Sequence, residues 1–244
     1  MRQHHDKTRK HFTGVILNLI QPNISVIVPA YNSGKTLTVC LKTLSKQTYP
    51  SEKYEVIIVD DGSTDNTSII LNSLPESDLF KVINHSENCG LAAARNTGIK
   101  NAKGDILIFL DSDMEVEEDF IEKHVSFHRK KSVIGVLGSI IPDIENPYDK
   151  YQRYLYESKR GAAKFDINKP IPFNAFIFNN TSIKKIAFEK VGLFDENIKM
   201  YGGEDTEFSY RVWNYYPEGL YCDPSIVVIH HHYRTIEQTL DIIE

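Results

Sequence analysis

The chain has 244 residues, of which 41% are hydrophobic and 25% are charged, a composition typical of a globular protein with a substantial core. Its 28 basic and 33 acidic residues give a formal net charge of −5, which disfavours general nucleic-acid binding. Three isolated cysteines fit no disulfide framework, and no apolar run is long enough to span a bilayer, so we expect a cytoplasmic protein. Peripheral contact with the inner face of a membrane stays open.

Short apolar runs alternate with amphipathic segments in the first half of the chain. Helical periodicity predicts helices at 35–45, from Ser63 or Thr64 to Leu74, and at 91–102. Continuous apolar runs predict buried strands at 24–28, 56–59, 80–83 and 106–110. Strands that alternate with helices of about ten residues imply right-handed crossovers, so we predict an α/β fold with a mostly parallel sheet.

The second half of the chain is less regular. We predict helices at 119–127, 183–191 and 206–216, and strands at 133–141, 173–178 and 226–229. Residues 142–172 carry four prolines and the tyrosines at 148, 151, 154 and 156, which favours an irregular segment. Gly202-Gly203 predicts a flexible loop before the helix at 206–216.

Two carboxylates follow the apolar strand at 106–110. Asp111 and Asp113 are expensive to bury, so we expect them where the strand emerges from the core. If the strand continued, the two side chains would share one face, because side chains alternate along a strand. Their oxygen ligands favour Mg²⁺ or Mn²⁺, which typically bridges a diphosphate at such sites.

Other polar clusters follow the predicted strands in the same way. They are Tyr31-Asn32-Ser33, Asp60-Asp61 and the loop 85–90. The carboxyl ends of parallel strands meet at one edge of a sheet, where ligands bind in open α/β proteins. Asp60-Asp61 could also be turn formers only. Gly34-Lys35-Thr36 is not a phosphate-binding P-loop, because Pro29 stands where that motif needs glycine.

Three further candidates have both a structural and a functional interpretation. Glu204-Asp205 could cap the helix that follows or supply a general base. Arg95 could be a surface residue of its helix or pair with phosphate or carboxylate. In an extended segment His230 and His232 share a face, so one of them could complete a carboxylate-rich metal site, whereas zinc-hydrolase spacing is absent from the sequence.

Five segments, taken in order, resemble the family 2 glycosyltransferases of GT-A fold. They are Ser25–Asn32, Val59–Asp65, Gly90–Asn96, Leu110–Asp113 and Gly203–Asp205. Residues 201–213 also resemble polypeptide N-acetylgalactosaminyltransferases, which are retaining enzymes. Those typically have asparagine at the position of Asp205 and Asp-x-His at that of Asp111–Asp113, and both differences favour an inverting reaction here.

The resemblance implies roles for individual residues. Asp205 would be the catalytic base, with Glu204 beside it; Asp113 would be the firmest metal ligand, joined by Asp111 and by His230. Arg95 would support the nucleotide or its metal-binding aspartates. The nucleotide-binding residues would be Pro29, Ala30, Tyr31, Asn32, Asp61, Gly90, Arg95, Asp111 and Ser112, with Asp61 bound to the base.

The implied function is metal-dependent, inverting transfer of a sugar from a nucleoside-diphosphate donor, with Mn²⁺ or Mg²⁺ as cofactor. We expect a UDP-sugar as donor and a hydroxyl acceptor on a sugar, a lipid-linked molecule or a peptide, in polysaccharide or glycoconjugate synthesis. The alternatives are a sugar-phosphate nucleotidyltransferase and a non-catalytic nucleotide-sugar-binding subunit.

The resemblance also implies a division of the chain. Residues 1–23 would be a leader, 24–232 a single GT-A domain and 233–244 a tail. Within the domain, 24–114 would be the nucleotide-binding half and 115–232 the acceptor-side half.

Overall fold

The computed structural model describes residues 23–75, 77–130, 132–143, 162–198 and 203–231. Most of the predicted leader, the tail, the four tyrosines between 148 and 156, Gly202 and His232 lie outside these ranges. The strands in the described ranges form one sheet of eight, in the order β3-β2-β1-β4-β7-β6-β8-β5.

The first half of the chain alternates strands and helices as predicted. Its elements are β1 (Ile24–Ala30), α1 (Leu37–Leu44), β2 (Tyr54–Asp60), α2 (Thr67–Asn72), β3 (Phe80–Asn84), α3 (Leu91–Asn101) and β4 (Ile106–Leu110). A short 3₁₀ helix, Ser51–Lys53, precedes β2. The four strands pair in parallel, so their carboxyl ends lie at one edge of the sheet.

The second half completes the sheet with mixed pairing. Its elements are β5 (Met114–Val116), α4 (Phe120–His128), β6 (Gly135–Pro142), β7 (Asn180–Lys184), α5 (Ile186–Val191), α6 (Gly203–Tyr215) and β8 (Leu220–His230). Strand β7 runs antiparallel to both β4 and β6, while β8 is parallel to β6 and antiparallel to β5. The α/β fold class is therefore confirmed, and the parallel pairing is concentrated in the first half.

Apolar layers cover both faces of the sheet. In β1, Val26 and Val28 belong to one layer and Ile27 to the other, as expected for a strand buried on both sides. Helices α1 and α4 pack into the first layer, and α3, α5 and α6 into the second. None of the helices in the described ranges is long and apolar enough to cross a bilayer.

The predicted strand at 173–178 is wrong. Residues Phe173–Ala175 form a 3₁₀ helix after Pro172, and the strand begins at Asn180. The aromatic residues that suggested a strand are core anchors instead: Phe176 and Phe178 are fully buried, and Phe173 packs edge-on against Tyr210 of α6. Apolar content alone does not separate a strand from an irregular buried segment.

Several predicted boundaries also shift. Helix α6 begins at Gly203, so Glu204 and Asp205 lie in its first turn, where acidic side chains suit the helix dipole. Strand β8 begins at Leu220, six residues earlier than predicted, because a register shift opposite Leu137 and Ser139 accommodates Pro224. Helix α2 begins at Thr67 and ends at Asn72, well before Pro75.

Strand β4 does not continue through Asp113, so Asp111 and Asp113 are not placed on one face by strand geometry. Strand β4 ends at Leu110, and the Met114 amide donates to the Asp111 carbonyl at 3.2 Å, which closes a turn. The alternation of a strand therefore does not set the directions of Asp111 and Asp113.

Candidate active site

Asp61 lies in the loop after β2 at the sheet edge, and the loop after β3 holds it in a fixed position. Its Oδ1 accepts from the Cys89 amide at 3.0 Å and lies 2.6 Å from Nδ1 of His85, while Oδ2 accepts from the Gly90 amide at 2.9 Å. The other ring nitrogen of His85 lies 2.9 Å from the Thr97 hydroxyl. Asp61 is buried, but carboxylate oxygens have four acceptor positions, so capacity for a further donor remains.

Asp60 has a structural role beside Asp61. Its two oxygens accept from the Ser63 amide at 3.1 Å and from the Ser68 hydroxyl at 2.6 Å. Of the Asp60-Asp61 pair, Asp60 thus shapes the turn, as the alternative interpretation holds.

Asn32 joins the first two strand-end loops. Its side-chain oxygen accepts from the Thr64 amide at 2.8 Å, and its own amide donates to the Ser63 hydroxyl at 2.9 Å. Asn32 has φ of 51°, a left-handed conformation that asparagine tolerates better than most residues. Of its predicted companions, Pro29 and Ala30 end β1, and the Tyr31 side chain is exposed.

Ser112 connects the turn after β4 to the first loop. Its hydroxyl lies 2.7 Å from that of Ser33, and the Ser33 amide donates to the Thr67 hydroxyl at 2.8 Å. Three strand-end loops are thereby tied together around the predicted nucleotide site. Their convergence on one edge agrees with the prediction from the strand pattern.

Asp113 and His230 form a pair created by strand pairing. Strand β5 runs antiparallel to β8 with Met114 opposite His230, which brings Nε2 of His230 within 3.1 Å of Oδ2 of Asp113. Both side chains are only about one fifth exposed. Two of the three predicted metal ligands are therefore in contact.

Asp111 is coupled electrostatically to this pair. Burial raises the pKa of Asp111 to about 7, the Asp113 carboxylate adds to the rise, and Arg95 and His230 oppose it. Within the described residues, Asp111, Asp113 and His230 do not form a group whose ligand atoms all lie within 4.8 Å of one another. Asp111 is therefore the more distant member.

The donor set fits a divalent cation. The Asp113 carboxylate raises the pKa of Asp111, so the two acids concentrate negative charge that a cation neutralises, and carboxylate oxygens suit Mn²⁺ or Mg²⁺. Asp113 and His230 would hold the ion, with Asp111 beside them.

His231 stabilises the backbone and the acidic side chains next to Asp113, a role that the sequence did not reveal. Its ring lies between Glu115 and Asp143, with Nε2 2.7 Å from the first carboxylate and Nδ1 3.1 Å from the second. Its amide donates to the Asp113 carbonyl at 2.9 Å. The alternation of a strand had shown only that His231 points away from His230.

Arg95 is buried beneath the site. Its Nη1 donates to Oδ1 of Asp205 at 2.6 Å and to Oε1 of Glu204 at 3.2 Å, and its Nη2 donates to the Phe178 carbonyl at 2.8 Å. The guanidinium also lies 5.4 Å from the ring centre of Phe194. The surface interpretation of Arg95 is therefore wrong, since the side chain pairs with the acids of α6.

Glu204 and Asp205 differ in how they are held. Oδ2 of Asp205 accepts from the Phe178 amide at 3.3 Å, so both oxygens of Asp205 have partners. Burial raises the pKa of Glu204, Asp205 adds to the rise, and Arg95 opposes it. Asp205 also contributes to the raised pKa of Asp111, so Asp111 lies within electrostatic range of the acids of α6.

The fold is an α/β fold similar to those of GT-A glycosyltransferase structures. S. aureus TarS 1–349 in complex with UDP-GlcNAc is similar in structure, with a TM-score of 0.69 and 22% identity over 89% of this chain and 60% of TarS 1–349. A mannosyltransferase from Pyrobaculum calidifontis, in complex with GDP-Man and Mn²⁺, gives a TM-score of 0.67 and 21% identity over 89% of this chain and 59% of that one.

Sequence comparison identifies the family. Residues 25–192 match the model of Glycosyl transferase family 2, and the chain belongs to this family. The match includes Asp61, Arg95, Asp111 and Asp113 and ends before α6 and β8.

A Bacillus subtilis (strain 168) protein described as the uncharacterized glycosyltransferase YfnE is 32% identical over 236 residues. That alignment takes in 77% of this chain and 59% of YfnE. The chain thus spans about three fifths of the length of each of these three proteins.

Proposed function

We propose that the chain catalyses metal-dependent, inverting transfer of a sugar from a nucleoside-diphosphate donor, a UDP-sugar, to a hydroxyl acceptor. The carrying observation is that two acidic groups, each held by a basic side chain, lie within electrostatic range of one another. One group is Asp111 with Asp113 and His230, and the other is the Arg95-bound pair Glu204 and Asp205. Family membership and the complexes of similar structures with nucleotide sugars support the proposal.

Asp61 binds the nucleoside in this scheme. A uracil ring presents an N–H donor, and the carboxylate of Asp61 has acceptor capacity beyond its bonds to the loop 85–90. Because that loop fixes both oxygens, the side chain loses little further freedom on binding.

Asp205 is the base. A divalent cation, when bound, acts as a Lewis acid that neutralises the leaving diphosphate. The acceptor hydroxyl attacks the anomeric carbon, its proton passes to the Asp205 carboxylate, and the bond between that carbon and the diphosphate oxygen breaks on the opposite face. Arg95 fixes the orientation of the Asp205 carboxylate before the proton is transferred.

The metal role is tested with Asp113→Asn. UDP affinity is measured by calorimetry with and without Mn²⁺ for the natural chain, for this variant and for Asp119→Asn, a control that alters a half-exposed carboxylate paired with Lys123. We expect Mn²⁺ to strengthen UDP binding in the natural chain and the control but not in Asp113→Asn. Equal UDP binding with and without Mn²⁺ in the natural chain would contradict the metal assignment.

The base is tested with Asp205→Asn. A panel of nucleotide sugars is screened for release of free nucleoside diphosphate, and the best donor is used to compare Asp205→Asn with Glu204→Gln. We expect Asp205→Asn to keep UDP affinity and to lose turnover by about 10²–10⁴. An unchanged rate would assign the base to Glu204, whereas no turnover with any donor or acceptor would indicate a binding subunit.

A further inference from the structure

Asp61 lies beside a histidine and a cysteine that the proposed reaction does not use. His85 and Cys89 belong to the loop that wraps around Asp61, and Cys89 is the exposed thiol among the described cysteines. The ligand atoms of Asp61, His85 and Cys89, one from each residue, all lie within 4.8 Å of one another. In the described part of the chain, no other three such side chains meet this condition.

We propose that Asp61, His85 and Cys89 form a second cation site, which selects a thiophilic divalent ion such as Zn²⁺. A carboxylate oxygen, an imidazole nitrogen and a thiolate sulfur are the three protein ligand types of zinc, and a water completes a tetrahedron. The oxygen-rich site at Asp113 suits harder ions such as Mg²⁺ and Mn²⁺. The two sites therefore differ in ligand chemistry as well as in position.

Small movements close the site around the ion. Nδ1 of His85 and Oδ1 of Asp61 are 2.6 Å apart and form a hydrogen bond. The cation would replace the proton between these two atoms. Tetrahedral metal–ligand bonds of roughly 2 Å require the nitrogen–oxygen distance to increase to about 3.3 Å. The Cys89 thiol makes one weak contact, 3.5 Å from the Glu87 carbonyl, so turning it towards Asp61 sacrifices little. Binding releases the thiol proton, and the proton between Asp61 and His85 passes to Nε2 of His85, which can donate it to the Thr97 hydroxyl 2.9 Å away.

Occupation of this site would weaken nucleotide binding. The cation neutralises the carboxylate that would accept the N–H of the base, so binding of a soft cation and binding of the nucleoside oppose one another at Asp61. This consequence rests on the proposed function, whereas the cation site itself does not. A thiophilic cation would then inhibit the same protein that Mn²⁺ activates.

The cation site is tested with Cd²⁺, a spectroscopic substitute for Zn²⁺. The reduced 244-residue chain is titrated with Cd²⁺ in the presence of excess Mg²⁺, and the ultraviolet absorbance of the cadmium–thiolate bond is recorded. We expect one equivalent to saturate the signal and Zn²⁺ to displace it. Cys89→Ser should abolish the signal although it keeps Cys40 and Cys222, and His85→Gln should weaken Cd²⁺ binding at least about tenfold.

Competition with UDP separates this proposal from the proposed function. Cys89→Ser keeps the amide that binds Asp61, so its UDP affinity should equal that of the natural chain and should no longer fall when Zn²⁺ is added. A missing absorbance, or one that persists in Cys89→Ser, overturns the cation site. A Cys89-dependent signal that UDP does not displace supports the cation site and overturns the nucleoside role of Asp61.

Discussion

Replacement of Arg95 by methionine should destabilise the protein strongly, because it leaves two buried carboxylates without their cation. Arg95 is 2% exposed, and Glu204 and Asp205 are 5% and 7% exposed, so solvent screens this cluster poorly. Removal of one partner from a buried ion pair costs roughly 3–5 kcal/mol. For a chain of this length that loss lowers the melting temperature by about 2–4 °C per kcal/mol, or roughly 6–20 °C in total.

The assay is urea unfolding followed by circular dichroism at neutral pH. Arg129→Met is the matched control, since Arg129 pairs with Glu122 at 3.2 Å while both side chains are substantially exposed. Such a surface pair contributes about 0–1 kcal/mol, so the control should unfold almost like the natural chain.

A triple variant distinguishes lost charge compensation from lost packing. Arg95→Met combined with Glu204→Gln and Asp205→Asn removes the cation and both carboxylates, so it should recover much of the stability that Arg95→Met loses. It should have no transfer activity. The reasoning is refuted if Arg95→Met costs less than about 1 kcal/mol, or if the triple variant is as unstable as the single one.

Two further predictions concern regions away from the acidic cluster. Burial lowers the pKa of His124 to about 4, although Asp223 acts in the opposite direction. Burial lowers the pKa of His128 to about 3, and His124 and Lys184 lower it further. Because the unfolded chain takes up these protons near pH 6.5, stability should fall as the pH drops below that value, by about 4 kcal/mol between pH 8 and pH 5 for the pair. Urea unfolding at both pH values measures this loss; His128→Gln should halve it, and an unchanged loss would contradict the assignment. Gly62→Ala should lower the free energy of unfolding by at least about 1 kcal/mol, since Gly62 has φ of +71° and an added Cβ would lie 2.4 Å from the Glu87 backbone. The same substitution should weaken UDP binding because it shifts Asp61. Unchanged UDP affinity would show that the loop adapts.

Local sequence pattern determined the first half of the fold. The apolar runs of β1, β2 and β4 are continuous and rich in β-branched residues, and a helix lies between each pair of consecutive strands from β1 to β4, so parallel pairing follows from connection geometry. Parallel pairing in turn places Asp61 and Asp111 at one edge, which is why the site could be located from sequence. The order of the motifs also identified the family.

Contacts between distant segments were decided only by the tertiary structure. Arg95 meets Glu204 and Asp205 across 109 and 110 residues, and no periodicity within α3 or α6 encodes that pairing. The position of the antiparallel strand β7 between β4 and β6 likewise depends on the order of the whole sheet. The apolar residues at 173–178 do not show that the strand begins only at Asn180, so the prediction there was wrong.

The same distinction applies within the site. The sequence by itself indicated which residues are candidates for the chemistry, because acids at strand ends are costly unless they bind something. The tertiary structure decided how they are grouped: the β5–β8 pairing joins His230 to Asp113, and the loop after β3 joins His85 to Asp61. Residue type and spacing are local properties, whereas a pairing across the sheet is fixed only when the whole chain has packed.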